Sequence, residues 1–518
     1  VPVSEFDRIV LRNGANDREF AGVRDELSQK LAQDYGYPVT QHCTPAAVFL
    51  NGEYYGYSWV HENYNEDYLA TYFGGNKDNY EIVSNIEDAD EGSERALEDY
   101  GKLYAYYDRD LTDDSTFAEF CGLVDIDNLM QYYCMQVFIA NKDWPGNNYK
   151  AFRYYPSEGE EITSEFQDGR WRFMFFDAEY AWSLYGDRPN ADTLRDLLSG
   201  THMSGESKAL IALLAREDMR EKFAATMSDL TANAFEKNHI LETLDELCAM
   251  SDSEQFYALD KGITSEWANR ETFANSRQQI RDFADIREYV VFRNMYKLFE
   301  WEKNTYTVSV TGAGGAVTTL NTQKRNGRGI LSAEYNCKCT VPLKAEIADG
   351  WEFVSWEING VTYDTPEVEL NARTAGTDGR IIAKLNTKLS ETTDAPLQIK
   401  EISTAKKAGY IVLYNPNSTE VSTAGLYLTD KPEKLDRWEI PARSVPAYGE
   451  LLIVTDNNKT ESALHQLQAN FSLKKGETLI LSDKGGNILA EVPVPDIPEG
   501  SVYAFQDYGQ YRAVPSAD

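Results

Sequence analysis

Three side chains within residues 139–180 have the types and spacing to hold a divalent cation and orient a hydroxyl. Asp143 is followed five positions later by Asn148, in the segment DWPGNN, where Pro145 and Gly146 hold the chain open as a loop. Asp177 closes the run RWRFMFFD. Carboxylate and amide oxygens are the ligands that hard cations such as Mg²⁺ take. A carboxylate beside such an ion can also accept the proton of an attacking hydroxyl.

Two strands must bring these residues together. Residues 149–155 read as a strand rich in aromatics, and 171–176 as a second that is nearly all apolar and so buried on both faces. Neighbouring strands lie about 5 Å apart. Antiparallel pairing therefore makes Asn148 and Asp177 neighbours, with Asp143 on the loop just before. Residues 123–141 read as the helix that delivers the chain to Asp143. An Asp, an Asn five residues on, two short strands and a metal-binding Asp is also the order in which protein kinases arrange phosphoryl transfer.

With 518 residues, 42% hydrophobic and 12% aromatic, the chain has material for two to four globular domains. A formal charge of −34 argues against a nucleic-acid partner, because phosphate binding needs clustered Lys and Arg. There is no run of 18 apolar residues, so no membrane-spanning helix is expected. No charged segment followed by an apolar stretch opens the chain, so a signal peptide is not in it. The six cysteines are too scattered for a disulfide scaffold, and no zinc-ligand spacing accompanies Cys337 and Cys339.

The order of elements reads as follows. Residues 6–12 form a strand, and 20–32 a helix with Val23, Leu27 and Leu31 on one face. Residues 46–60 form a hairpin around Asn51-Gly52, the pair a tight type I′ turn requires, with Glu62 just past its end. The acidic stretch 84–98 reads as an exposed loop leading into a helix. Residues 194–300 are helical. From Thr305 the helical period stops and short strands take over, with a polar linker at 387–396 between two β modules.

Residues 1–302 resemble the CotH kinase family, the spore-coat-protein-H-like atypical kinases. The resemblance rests on IVLRNGAND followed by the helix carrying Arg24-Asp25, on VFLNGEYYGYSWVHEN, on DWPGNN, on WRFMFFDAE and on the helical segments MREKF and IRDFADIREYV. It implies a kinase-like fold, ATP with Mg²⁺ or Mn²⁺, and phosphorylation of secreted or surface proteins. Carried over, Asp143 takes the catalytic role, Asn148 and Asp177 the metal-ligand roles, and Glu62 a place near the nucleotide. The family usually has Asp two residues after its metal Asp. Here Glu179 stands there, with a longer arm, and joins the expected metal ligands. The family's Gly- and Lys-bearing N-terminal segment has no match, as in a truncated kinase or a pseudokinase.

Residues 397–510 resemble a lamin-tail domain through IKEIS, YIVLYNP, GLYLTD, RWEIP and FSLKKGETLILSD, and residues 305–386 are similar to bacterial surface β-repeat modules. The expected fold is therefore multidomain: an α+β atypical protein-kinase-like domain followed by two small all-β, sandwich-like modules. The expected function is a secreted or cell-surface, ATP-dependent protein kinase acting on a protein substrate. The alternative is a pseudokinase that binds a cell-surface or polysaccharide partner through its β modules.

Overall fold

The structure is a computed structural model that describes residues 6–84, 88–91, 93–186, 189–199, 205–265, 268–348, 351–389, 397–405, 409–417, 420–455, 467–498, 500–505 and 511–515. The first sheet has three antiparallel strands in the order β1–β3–β2, where β1 is Ile9–Arg12, β2 Cys43–Leu50 and β3 Glu53–Glu62. Asn51 and Gly52 take φ of 52° and 85° at the turn between β2 and β3, a region an Asn-Gly pair enters at little cost. Strand β1 lies along the end of β3, with Ile9 opposite Glu62 and Arg12 opposite Trp59.

Helix α1, Arg24–Tyr35, starts four residues later than its apolar period suggests. The cause is Asp17, a buried carboxylate that accepts from the backbone N–H of Ala21, Val23 and Arg24 and pairs with the Arg24 guanidinium. That set of bonds bends residues 17–23 into a turn, with Gly22 at φ 71°, before the helix can begin. Val23, Leu27 and Leu31 are all fully buried, as their spacing requires.

After helix α2, Glu66–Phe73, a second antiparallel sheet runs β5–β4–β6–β7. Its strands are β4 Tyr80–Ser84, β5 Asp88–Glu91, β6 Lys150–Tyr154 and β7 Arg172–Met174. β5 falls inside the acidic stretch expected to be a loop: pairing with β4 outweighs a composition poor in strand formers. Between β5 and β6 come α3 Glu94–Tyr104, α4 Asp114–Leu123 and α5 Ile126–Ile139. Asp125 caps α5 by accepting from the N–H of Asp127 and Asn128, and its other oxygen lies 2.9 Å from the buried Arg172 guanidinium on β7. One carboxylate thus fixes the helix before the Asp143 loop against the strand before Asp177. Helices α6 Thr193–Leu198, α7 Gly205–Leu214, α8 Glu217–Thr231, α9 Lys237–Asp260 and α10 Arg270–Phe299 complete this α+β part.

From Thr305 the chain is all β. A five-stranded and a four-stranded sheet occupy 305–389, and the strand Arg380–Leu389 runs into the segment expected to be a linker, most of which lies outside the described residues. These strands do not pack by themselves. Their buried side chains, from Tyr306 to Leu385, belong to one apolar core with the helices, whereas residues from Leu397 onward build a separate core between a six-stranded and a four-stranded sheet. The joint with the helices is polar at its centre. Asp229 on α8, fully buried, accepts from Asn321 Nδ2 (2.6 Å), Thr322 N (2.9 Å), Thr322 Oγ1 (2.6 Å), Gln323 Nε2 (3.1 Å) and Tyr335 OH (2.5 Å). The Tyr35 hydroxyl at the end of α1 sits 2.6 Å from Thr322 Oγ1.

Asp229→Ala strands five donors, two of them, from Gln323 and Tyr335, fully buried. Denaturant unfolding should show a loss of about 3 to 5 kcal/mol, the usual cost of breaking a buried charged network. A loss below about 1 kcal/mol, the size of one ordinary hydrogen bond, would mean that Asp229 does not hold the strands to the helices.

Candidate functional site

One face of α1 organises the loop that carries Asp177. Arg24, Asp25, Ser28 and Gln29 lie at positions that share a side of a helix. The Asp25 carboxylate accepts from Ala178 N (2.8 Å), Ser28 Oγ accepts from Trp182 Nε1 (2.8 Å), and Gln29 Nε2 donates to Phe175 O (3.0 Å). Arg24 Nε reaches Trp182 O at 3.4 Å. Residues 175–182 therefore take their shape from a helix about 150 positions earlier. Within that loop Asp177 and Trp182 adopt positive φ, 51° and 53°, so the chain turns sharply on either side of Glu179.

The turn gathers charge. Arg12, at the end of β1, places Nη2 2.5 Å from Asp177 Oδ1 and 2.5 Å from Glu179 Oε2, and Nε 3.5 Å from Asp25 Oδ2. Oxygens of Asp25, Asp177 and Glu179 lie within 4.8 Å of one another. Asp25 is 3% exposed, and its Oδ2 has no hydrogen-bond partner. Behind it His61, also buried, pairs through Nε2 with Glu26 Oε1 (3.0 Å), while its Nδ1 stands 4.0 Å from Asp25 Oδ2.

Low dielectric makes this concentration of carboxylates shift the protonation of its members. Burial, then the hydrogen bond and charge of Asp177, pushes Glu179 up from 4.5 to about 9. Burial also opposes ionisation of Asp177, but the Glu179 carboxyl and the Arg12 guanidinium outweigh it and hold Asp177 below the usual range. Burial pulls Arg12 down, yet Asp25, Asp177 and Glu179 more than reverse that.

Asp143 and Asn148 form a set of their own. Asn148 Nδ2 donates to Asp143 Oδ2 (2.9 Å), and Asn147 Nδ2 to Asp143 Oδ1 (3.1 Å). Asp143 is not among the acids of the Arg12 cluster. Its loop is nevertheless stitched to the Asp177 loop by Lys142 N to Tyr180 O and Trp182 N to Ile139 O, both 3.0 Å. The β6–β7 register, Lys150 opposite Met174, points Asn148 toward the start of that loop. Glu62 lies elsewhere. It ends β3, where one oxygen is 2.9 Å from His42 Nδ1 and the other accepts from Tyr72 OH (2.6 Å). Asn63, the residue after Glu62, lines a cavity of about 200 Å³ with Arg8, Val10, Arg12, Lys150 and Phe176. That volume is below the ~300 to 1,000 Å³ of sites that enclose a whole small molecule, and suits the anionic end of a larger one.

Hard oxygen donors, one of them buried without a donor of its own, fit a divalent cation such as Mg²⁺ or Mn²⁺. Arg12 and Asp25 carry no spacing signal relative to Asp177. Their only trace in the sequence is that both fall in the N-terminal segments shared with the CotH family, IVLRNGAND and the Arg24-Asp25 helix.

The sequence profile of the CotH kinase protein family matches residues 1–291, more than half of the chain. The chain belongs to the CotH kinase family. No curated protein matches it.

A carboxyl that stays protonated in the fold but ionises in the unfolded chain stabilises the fold at low pH. For Glu179 that contribution is full below about 4.5 and lost as pH rises toward about 9. The melting temperature of the wild type relative to Glu179→Gln should therefore fall steadily across that interval. Parallel curves for the two proteins would contradict the assignment.

Proposed function

We propose that the chain is an ATP-dependent protein kinase that uses Mg²⁺ or Mn²⁺. What carries the reading is the oxygen cluster of Asp25, Asp177 and Glu179, joined through Arg12 to a cavity that Arg8, Arg12 and Lys150 line, with the Asp177 loop bonded to the loop of Asp143. Cations gathered at one cavity in a chain of net charge −34 suit a phosphate chain.

In this reading Asp25, Asp177 and Glu179, with Asn148 from the neighbouring loop, would hold the metal ion, which when bound would neutralise charge on the transferring phosphate. Asp143, oriented by the two amides of Asn147 and Asn148, takes the proton of the acceptor hydroxyl. The hydroxyl oxygen bonds to the γ-phosphorus, and the bond to the β–γ bridging oxygen breaks, leaving ADP. Glu62, fixed by His42 and Tyr72, orders the end of β3 beside the nucleotide. Residues 1–302 are assigned as the catalytic unit. The strands of 305–386, and the lamin-tail-like sandwich of 397–510, are assigned to placing it on a protein or polysaccharide partner outside the cell. The separate core of the C-terminal sandwich supports that division for the second module.

Transfer of the ATP γ-phosphate, followed with radiolabel in Mg²⁺ or Mn²⁺, tests the reading. Asp143→Asn and Asp177→Asn should each reduce transfer by at least about 100-fold, the lower end of what a proton acceptor supplies. Equal transfer by wild type and both variants, or none by any, would remove the proposal.

A further inference from the structure

Arg12 stands where a metal ion would stand. Its Nη2 is 2.5 Å from an oxygen of both Asp177 and Glu179, and Nε is 3.5 Å from Asp25 Oδ2. A divalent ion needs those same lone pairs, at about 2.1 Å for Mg²⁺. Guanidinium and ion cannot both take them, and two cations a few ångströms apart in a half-buried site repel strongly. Arg12 therefore holds Asp177 and Glu179 without metal as long as it stays, and its charge stands 3.5 Å from the otherwise unpartnered Asp25 Oδ2.

Arg12 has a second place to go. It lines the 200 Å³ cavity together with Arg8 and Lys150, so an anion there would meet three cationic side chains, Arg12 among them. Phosphate oxygens accept bidentate bonds from guanidinium as well as carboxylates do. The pairing that now holds Asp177 and Glu179 can thus be exchanged for one with a phosphate chain.

We infer that Arg12 is a removable plug: it excludes divalent cations from Asp25, Asp177 and Glu179 until the phosphates of a nucleoside triphosphate draw it away. Metal and nucleotide then bind with positive coupling, because each relieves the charge the other leaves exposed. The cation is admitted only with its phosphate partner, and the same side chain becomes a phosphate clamp. The nucleotide half of this inference rests on the kinase reading; the plug itself does not.

The test is Mn²⁺ binding to the full chain, followed by electron paramagnetic resonance, alone and with a non-hydrolysable ATP analogue. Arg12→Gln should bind Mn²⁺ alone at least about tenfold more tightly than wild type, a factor ordinary for coupled sites. Adding Asp177→Asn to Arg12→Gln should abolish that gain, which places the ion at this cluster. In wild type the analogue should tighten Mn²⁺ by about tenfold, and in Arg12→Gln it should not. Arg12→Lys keeps the charge and should still exclude Mn²⁺, with circular dichroism checking that each variant is folded. Equal Mn²⁺ affinity in wild type and Arg12→Gln without nucleotide would overturn the plug. A tighter Arg12→Gln with no effect of the analogue on any protein would uphold it and count against the kinase reading instead.

Discussion

Carboxylates in a poorly solvated space must find a counter-charge, and in this protein much of the architecture around residues 175–182 follows from that requirement. Asp25, Asp177 and Glu179 converge to within 4.8 Å, and the Arg12 guanidinium reaches all three. The four come from three kinds of element. Arg12 ends an edge strand, Asp25 opens a buried helix, and Asp177 and Glu179 ride a loop with left-handed residues. The sheet, the helix and the loop must therefore be in register with one another for any of the charges to be satisfied. A slip in one would leave a buried carboxylate uncompensated, which costs far more than a lost surface contact.

The supporting bonds distribute that demand. Asp17 sets where α1 begins, and so where Asp25 falls. Asp125 ties α5 to β7, bringing the Asp143 and Asp177 loops to one end of the second sheet. Asp229 joins α8 to the strands beyond Thr305, whose side chains complete the helical core. In each case one carboxylate, buried at Asp17 and Asp229 and partly buried at Asp125, accepts several donors at once, which offsets the cost of taking it out of water. An acidic chain has used part of its excess of carboxylates as internal fastenings.

Much of the local structure was legible in the amino-acid order. The turn at Asn51-Gly52, the buried stripe Val23–Leu27–Leu31 and the β6–β7 pair all follow from short-range rules that the fold obeys. The proximity of the Asp143 and Asp177 loops follows from that pair and from DWPGNN. The partners of Asp177 were not legible, because Arg12 lies 165 positions away and nothing in the spacing links them. The start of α1 was misplaced because a side chain, Asp17, overrides the helical period. Asp229 reads as an ordinary surface charge on an amphipathic helix until the strands that cover it are in place. Glu62 was singled out through the resemblance to the CotH family, and the partners that fix its carboxylate, His42 and Tyr72, carried no signal in the spacing.

The central claim is that the oxygens around Asp177 form a cation site governed by Arg12. Anomalous X-ray scattering from a crystal grown with Mn²⁺ and a non-hydrolysable ATP analogue addresses it most directly. The account predicts a manganese peak bonded to Asp177 oxygen at a little over the ~2.1 Å of Mg²⁺, with the Arg12 guanidinium turned onto phosphate. A peak elsewhere on the chain, or Arg12 still bonded to Asp177 and Glu179 with nucleotide in the cavity, would contradict it.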